Sequence, residues 1–305
     1  MRLNPFRRIR RLGTSIFSRV QRPLQGHKPP RKQKHVKIDD EEQISDEDYF
    51  ISSRPSLLAK MVKLVLLSLL AIFILLLLTA YTIYKPPSPL INFFQRRHPD
   101  VIFHLPLPAS QRVVALTLDD APSEYTPAIL GLLKKHNATA TFFIIGSQVV
   151  EHPSVIKEIH TQGHELGNHA WNDEPSLSLP PSELERQIKE VEALLPANRN
   201  RAKYFRPGSG FFNRKMVNML KDMGYKVALG SIYPHDAQIK SPKWNTRHVL
   251  SMVKPGGVII MHDRRGYSVE ELRLVLEGLT RGGWKVVSLG ELLKLHEEEV
   301  DKKGG

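Results

Sequence analysis

At 305 residues and 41% apolar side chains, the chain has room for one medium-sized domain with its own core, plus appendages. It contains no cysteine, which excludes disulfides, thiolate metal sites and cysteine nucleophiles and leaves any metal to His, Asp or Glu. A formal net charge of +13 suggests a nucleic-acid binder when it covers a folded surface, but here the excess is gathered at one end, so no nucleic-acid partner is expected.

The first 37 residues carry twelve Lys or Arg and no acid, and Asp39 to Asp48, "DDEEQISDED", then holds seven acids in ten positions. Blocks of like charge repel themselves into solvated chain, so residues 1–63 read as a disordered tail, basic then acidic. A topogenic role for it ranks first, contact with anionic lipid second and nucleic acid a distant third.

Leu64 to Tyr84, "LVLLSLLAIFILLLLTAYTIY", runs for twenty-one residues without a charge. At about 1.5 Å per residue such a helix spans a hydrocarbon core of about 30 Å, and the polar face of a buried soluble helix is missing. A leader of sixty-odd residues is too long for the charged region of a cleavable signal, which predicts a retained single-pass signal anchor. Lys60, Lys63 and the basic tail precede the span, against only Lys85, Arg96 and Arg97 soon after it. This asymmetry places the N-terminus in the cytoplasm and the rest outside, at the cell surface or in a secretory lumen.

Residues 85–108 include "KPPSPL" and "LPLP", whose prolines lack the donor that helix or central strand requires, and predict an extended stalk. Residues 109–305 alternate short β-rich runs with helical stretches, the pattern of parallel βα units in an α/β fold. Strands are expected at Val113–Leu118, Thr139–Ile145, Tyr204–Phe205, Val227–Gly230, Val258–Met261 and Val286–Ser288. Helices are expected at Tyr125–His136, Pro153–Gln162, Pro181–Leu195, Arg214–Met223, Thr246–Val253, Glu270–Thr280 and Leu289–Glu298.

Chemistry in such folds sits at strand ends on one face. There the chain places Asp119 and Asp120 in "LTLDDAPS", His169 with Asp173 in "GHELGNHAWNDEPS", Arg206 in "YFRPGSG", His235 and Asp236 in "YPHD", and His262 and Asp263 in "IIMHD". Each alone has a structural explanation, Asp-Asp before Pro as a helix cap or a His as a hydrogen-bonded structural residue. Their recurrence at five candidate strand ends argues for a site.

"TLDD", "GHELGNHAWND", "FRPGSG" and "IIMHD", in this order, resemble the motifs of the NodB-type polysaccharide deacetylases, a carbohydrate esterase family, over about Arg112 to Leu293. The resemblance implies a distorted (β/α) barrel. It makes Asp119 the general base, Asp120 and His169 metal ligands, Arg206 the partner that orients the base, His262 the general acid and Asp236 the carboxylate that tunes that acid. Where the family has a second metal histidine, four residues after the first, this chain has Asp173, which implies the ligand triad Asp120, His169 and Asp173. Gly208-Ser209 replace a bulky groove-wall residue, and the tryptophan that commonly follows Asp236 is absent, so the groove is expected to differ in shape.

The implied cofactor is a divalent metal, zinc first, with manganese, cobalt or another divalent ion admitted by the oxygen-rich ligand set. Such an ion polarises an amide carbonyl and acidifies water, and an imidazolium protonates the departing amine. The expected activity is removal of acetyl groups, N-acetyl first, from a surface or extracellular polysaccharide such as chitin or peptidoglycan. Two alternatives are a tethered carbohydrate-binding pseudoenzyme and a hydrolase of another acyl, imide or ester substrate.

Overall fold

The computed structural model describes residues 55–196 and 203–304, and the basic and acidic blocks of the tail lie outside them. The chain divides into two units, Met1–Leu64 and Val65–Gly305. Helix α1 (Leu57–Tyr84) has no buried residue and is long and apolar enough to cross a membrane. Thr79 and Thr82 donate their hydroxyls to the carbonyls of Leu75 and Leu78, 2.8 Å in each case, so these two hydroxyls are satisfied within the helix.

The segment expected to be an extended stalk is instead folded. Helix α2 (Ser88–Arg97) starts there with Pro89 in its first turn, where no amide donor is needed, and buries Ile91. The Gln95 side-chain amide donates to Val101 O at 3.0 Å and accepts from the amides of Phe103 and His104 at 2.9 and 3.2 Å. This clamp holds strand β1 (Val101–Ile102) beside β6 (Tyr225–Ala228).

The remaining strands are β2 (Val113–Ala121), β3 (Thr141–Ile144), β4 (Glu165–Asn168), β5 (Lys203–Phe205), β7 (Val258–His262) and β8 (Lys285–Val287). Between and after them run α3 (Thr126–Lys135), α4 (Gly146–Glu151), α5 (Pro153–Thr161), α6 (Pro181–Leu194), α7 (Arg214–Asp222), α8 (Pro242–Met252), α9 (Ser268–Arg281) and α10 (Leu289–Gly304). Every strand pairing is parallel, in the order β1-β6-β5-β4-β3-β2-β7, with β8 beside the start of β2. Just past β6, Ile232 bridges Ile259 of β7. That bridge ties the segment after β6 to β7, across the sheet, and curls it into the expected distorted barrel.

Strand β2 is buried from Val114 to Ala121, as expected of a central parallel strand covered on both faces. Leu116, Leu118, Phe142 and Ile144 pack with Ile129, Leu130 and Leu133 of α3 and Leu272, Val275 and Leu276 of α9. On the other side Phe143, Tyr204, Ala228 and Val287 meet Leu289 and Leu292 of α10. Strand β4, absent from the sequence reading, contains no β-branched residue. It forms because Gly167 lets it lie against Phe143, whose ring would meet an added Cβ at 2.7 Å.

Candidate active site

The polar residues cluster where the C-terminal ends of the strands meet the following loops, and they line a cleft of about 570 Å³. Asp119 and Asp120 adjoin, and a regular strand would send them to opposite faces. The β2–β3 register shifts between Leu118 and Ala121, and Asp120 has a φ of 63°, in the left-handed region. This break lets both carboxylates face the cleft, a use of backbone strain common at functional sites.

Asp119 is paired in register with His262 on the adjacent strand β7, so carboxylate and imidazole sit side by side. Arg206, directly after β5, is 2% exposed and reaches Asp119 Oδ1 with Nη1 at 2.5 Å. Its other contacts fix the fork: Nη1 donates to Thr117 Oγ1 (2.7 Å), Nε to Ala228 O (2.9 Å) and Nη2 to Leu229 O (3.1 Å), while its Cζ lies 4.0 Å from the centre of the Phe143 ring. Burial alone would raise the Asp119 pKa. The charges of Arg206, His169 and His262 and the Arg206 hydrogen bond outweigh it and hold the carboxyl below its ordinary value.

His262 is gripped twice by Asp236: its backbone N donates to Oδ2 and its Nδ1 meets Oδ1, each at 2.8 Å. Burial works against the imidazolium. The Asp236 bond and the negative charges of Asp236, Asp119 and Asp120 prevail, and the His262 pKa is pushed up to about 9. The imidazole is therefore charged at neutral pH and lines the cleft, and among the described residues nothing accepts its Nε2–H.

Asp120, His169 and Asp173 each offer a ligand atom, all within 4.8 Å of one another. The His169 ring is set by the carbonyl of Arg206, 2.6 Å from Nδ1. A carbonyl only accepts, so Nδ1 carries the proton and the Nε2 lone pair faces Asp120, the arrangement of a metal-ligating histidine. Asp120 is 2% exposed, and its Oδ2 is buried without a hydrogen-bond partner among the described residues. Burial, with Asp173 and Asp119 adding to it against His262 and His169, raises the Asp120 pKa. A carboxylate in that state is short of a cation, and the donor set fits a divalent ion.

The fold thus brings together Asp119, Asp120, His169, Asp173, Arg206, Asp236 and His262. It does not bring in His235, whose Nε2 donates to Tyr84 O at 2.8 Å and whose ring stacks on Tyr84 at 4.7 Å. Gly208 is required where it stands, because an added Cβ would come within 2.1 Å of Glu174 O.

Asp263, quoted in the sequence reading but given no role, is a buried tie: its carboxylate takes the hydroxyls of Ser123 (2.8 Å) and Thr126 (2.5 Å), and its amide donates to Asp119 O (2.9 Å). Three further residues escaped that reading. Thr117 supports Arg206, while Arg264 and Arg265 face the Asp120–Asp173 pair. Their one sequence signal is position, Thr117 two residues before Asp119 and the arginines directly after "IIMHD".

Carboxylate, charged imidazole and a three-donor cluster at the C-terminal edge of a curled parallel sheet are the equipment of a hydrolase. Residues 107–228 match the family model described as polysaccharide deacetylase. Over 194 residues the chain is 31% identical to a peptidoglycan-N-acetylglucosamine deacetylase of Bacillus cereus, covering 62% of this chain and 91% of that protein. The peptidoglycan deacetylase PdaC of Bacillus subtilis superposes with a TM-score of 0.59 at 28% identity, covering 65% of this chain and 97% of that one. A CE4-family pseudoenzyme of Bacillus anthracis superposes with a TM-score of 0.57 at 28% identity, covering 63% and 68%. The chain belongs to the polysaccharide deacetylase family.

Proposed function

We propose that the chain is a metal-dependent N-deacetylase of a peptidoglycan-type glycan, tethered by α1 with its C-terminal domain outside the cytoplasm. The observation that carries the reading is the facing pair of supported groups, Asp119 on Arg206 and His262 on Asp236, beside the Asp120–His169–Asp173 cluster. The relatives' named substrate, peptidoglycan, supplies the glycan class.

Asp120, His169 and Asp173 would hold a divalent ion, which when bound supplies Lewis-acid polarisation of the acyl oxygen and acidifies water. Asp119, kept ionised by Arg206, takes a proton from the attacking water as its oxygen bonds to the acyl carbon. His262 then gives its Nε2 proton to the amide nitrogen as the C–N bond breaks, because an amine leaves only when protonated. Acetate and a free amino sugar result. Asp236 holds Nδ1 and so directs which nitrogen delivers that proton.

Acetate release by the full chain in detergent, from peptidoglycan, chitin oligomers and acetylated xylan, is the test. Release is expected from peptidoglycan, to be lost after chelation and restored by zinc or manganese. Saccharide binding without acetate would make the protein a binder, and turnover of esters alone would make it a different acyl hydrolase.

The topology rests on the charge asymmetry about Leu64–Tyr84. Protease added to intact cells should digest the domain that follows α1, and protection of that domain with cleavage of the tail would reverse the orientation.

A further inference from the structure

Arg264 and Arg265, in the turn after β7, aim at the same two carboxylates that the proposed metal site needs. Arg264 Nη2 lies 2.8 Å from Asp173 Oδ2 and 3.8 Å from Asp120 Oδ2, and Arg265 Nη2 lies 3.6 Å from Asp120 Oδ2. The other ionised groups at the cleft are already matched, Asp119 by Arg206 and Asp236 by His262. Asp173 is in turn paired with Arg264 at 2.8 Å, whereas Asp120 has the two arginines only at 3.8 and 3.6 Å and its Oδ2 stays without a hydrogen bond among the described residues. A divalent ion that enters this site therefore meets a guanidinium already paired with Asp173 and must share or displace it.

The contest falls on Asp173. Asp120 is fixed, at 2% side-chain exposure, and His169 is held by the Arg206 carbonyl, whereas Asp173 has a 40% exposed side chain and, among the described residues, its one short polar contact is Arg264. An imidazole at position 173 would offer a guanidinium no such partner, so the aspartate and Arg264 act as a pair.

We propose that Arg264 is a built-in competitor for the third ligand, Asp173, and that it sets how tightly the Asp120–His169–Asp173 cluster holds a divalent ion. This rests on reading that cluster as the metal site. Metal held this way is exchangeable, its affinity tuned by a residue that contributes no ligand atom. Arg265, which lies 3.6 Å from Asp120 Oδ2 and makes no ion pair with Asp173 among the described residues, supplies background charge but not the specific competition.

Isothermal titration of the full chain in detergent with manganese and with zinc decides the matter, using wild type, Arg264→Gln, Arg264→Lys, Asp173→Asn and the double variant Asp173→Asn/Arg264→Gln. Partners of metal ligands change affinity by about 10–100-fold. Arg264→Gln should therefore tighten binding at least about 10-fold, with Arg264→Lys nearer to wild type. In the Asp173→Asn background, loss of Arg264 should change affinity by less than about 3-fold, because the shared carboxylate charge is gone. Equal or weaker binding by Arg264→Gln, or equal tightening in both backgrounds, would overturn the proposal while leaving the metal site standing. A wild type that takes up no ion, or an Asp120→Asn variant that binds as well as wild type, would overturn the metal-site reading and this inference with it.

Discussion

Asp119→Asn and His262→Ala should each lower the rate of acetate release by about two to four orders of magnitude, the usual size of a lost general base or acid, without changing metal uptake. Neither residue is in the ligand cluster, so metal content separates loss of proton transfer from collapse of the site. The pH profile should carry the signature of His262. Its protonated form is the working one and its pKa is pushed up to about 9, so activity should persist through neutral pH and fall as pH rises through about 9. Asp236→Asn removes the charge that most sustains the imidazolium, and should move that alkaline limb down by at least about one pH unit. Full activity in either first variant, or an alkaline limb unmoved by Asp236→Asn, would show that the proton comes from elsewhere.

How far the site was legible in the sequence depended on whether a residue's role is local. Asp119, His262 and Arg206 each end an apolar strand or follow one, and strand ends announce themselves through β-rich runs, so these positions could be picked out before their partners were known. The Arg206–Asp119 contact spans 87 residues and the Asp236–His262 contact 26, and no spacing rule predicts such pairs. They were expected only through resemblance to a family. Arg264 was invisible for a related reason: beside Arg265 after a strand it looks like solvated charge, and its meaning comes from Asp173, 91 residues away. The fold followed the same division. Strands with β-branched or aromatic runs were found to within a few residues, whereas β4 depends on the close fit of Gly167 to Phe143 and β1 on the Gln95 clamp. The prolines of residues 86–89 were misread because a proline in the first turn of a helix and one in an extended stalk look alike without tertiary context.

Arg206→Met should be the most destabilising single change at the site, costing about 3–5 kcal/mol, because it strands a charge in the protein interior. Asp119 has a side chain 6% exposed, and Arg206 supplies its one charged contact within 4 Å among the described residues. Removing the guanidinium also leaves the carbonyls of Ala228 and Leu229 without their side-chain donor. Arg206→Lys should recover little, since one ammonium cannot replace a planar fork that reaches Asp119, Thr117 and two carbonyls at once. The pH dependence of stability should change in a defined direction. In the wild type the Asp119 pKa is depressed, so its contribution is fully present above the ordinary carboxylate range and is lost as pH falls through the depressed value. Without Arg206, burial dominates and raises that pKa, so the variant should gain relative stability on acidification where the wild type loses it. Asp119→Leu added to Arg206→Met removes the stranded charge and should restore a large part of the lost stability while activity stays absent. Urea unfolding of the detergent-solubilised chain from about pH 2 to about pH 8 reads all of these outcomes, since the wild-type loss falls below the ordinary carboxylate value. A loss below about 1 kcal/mol for Arg206→Met, or no recovery in the double variant, would mean that the pair does not hold Asp119 in its ionised, oriented state.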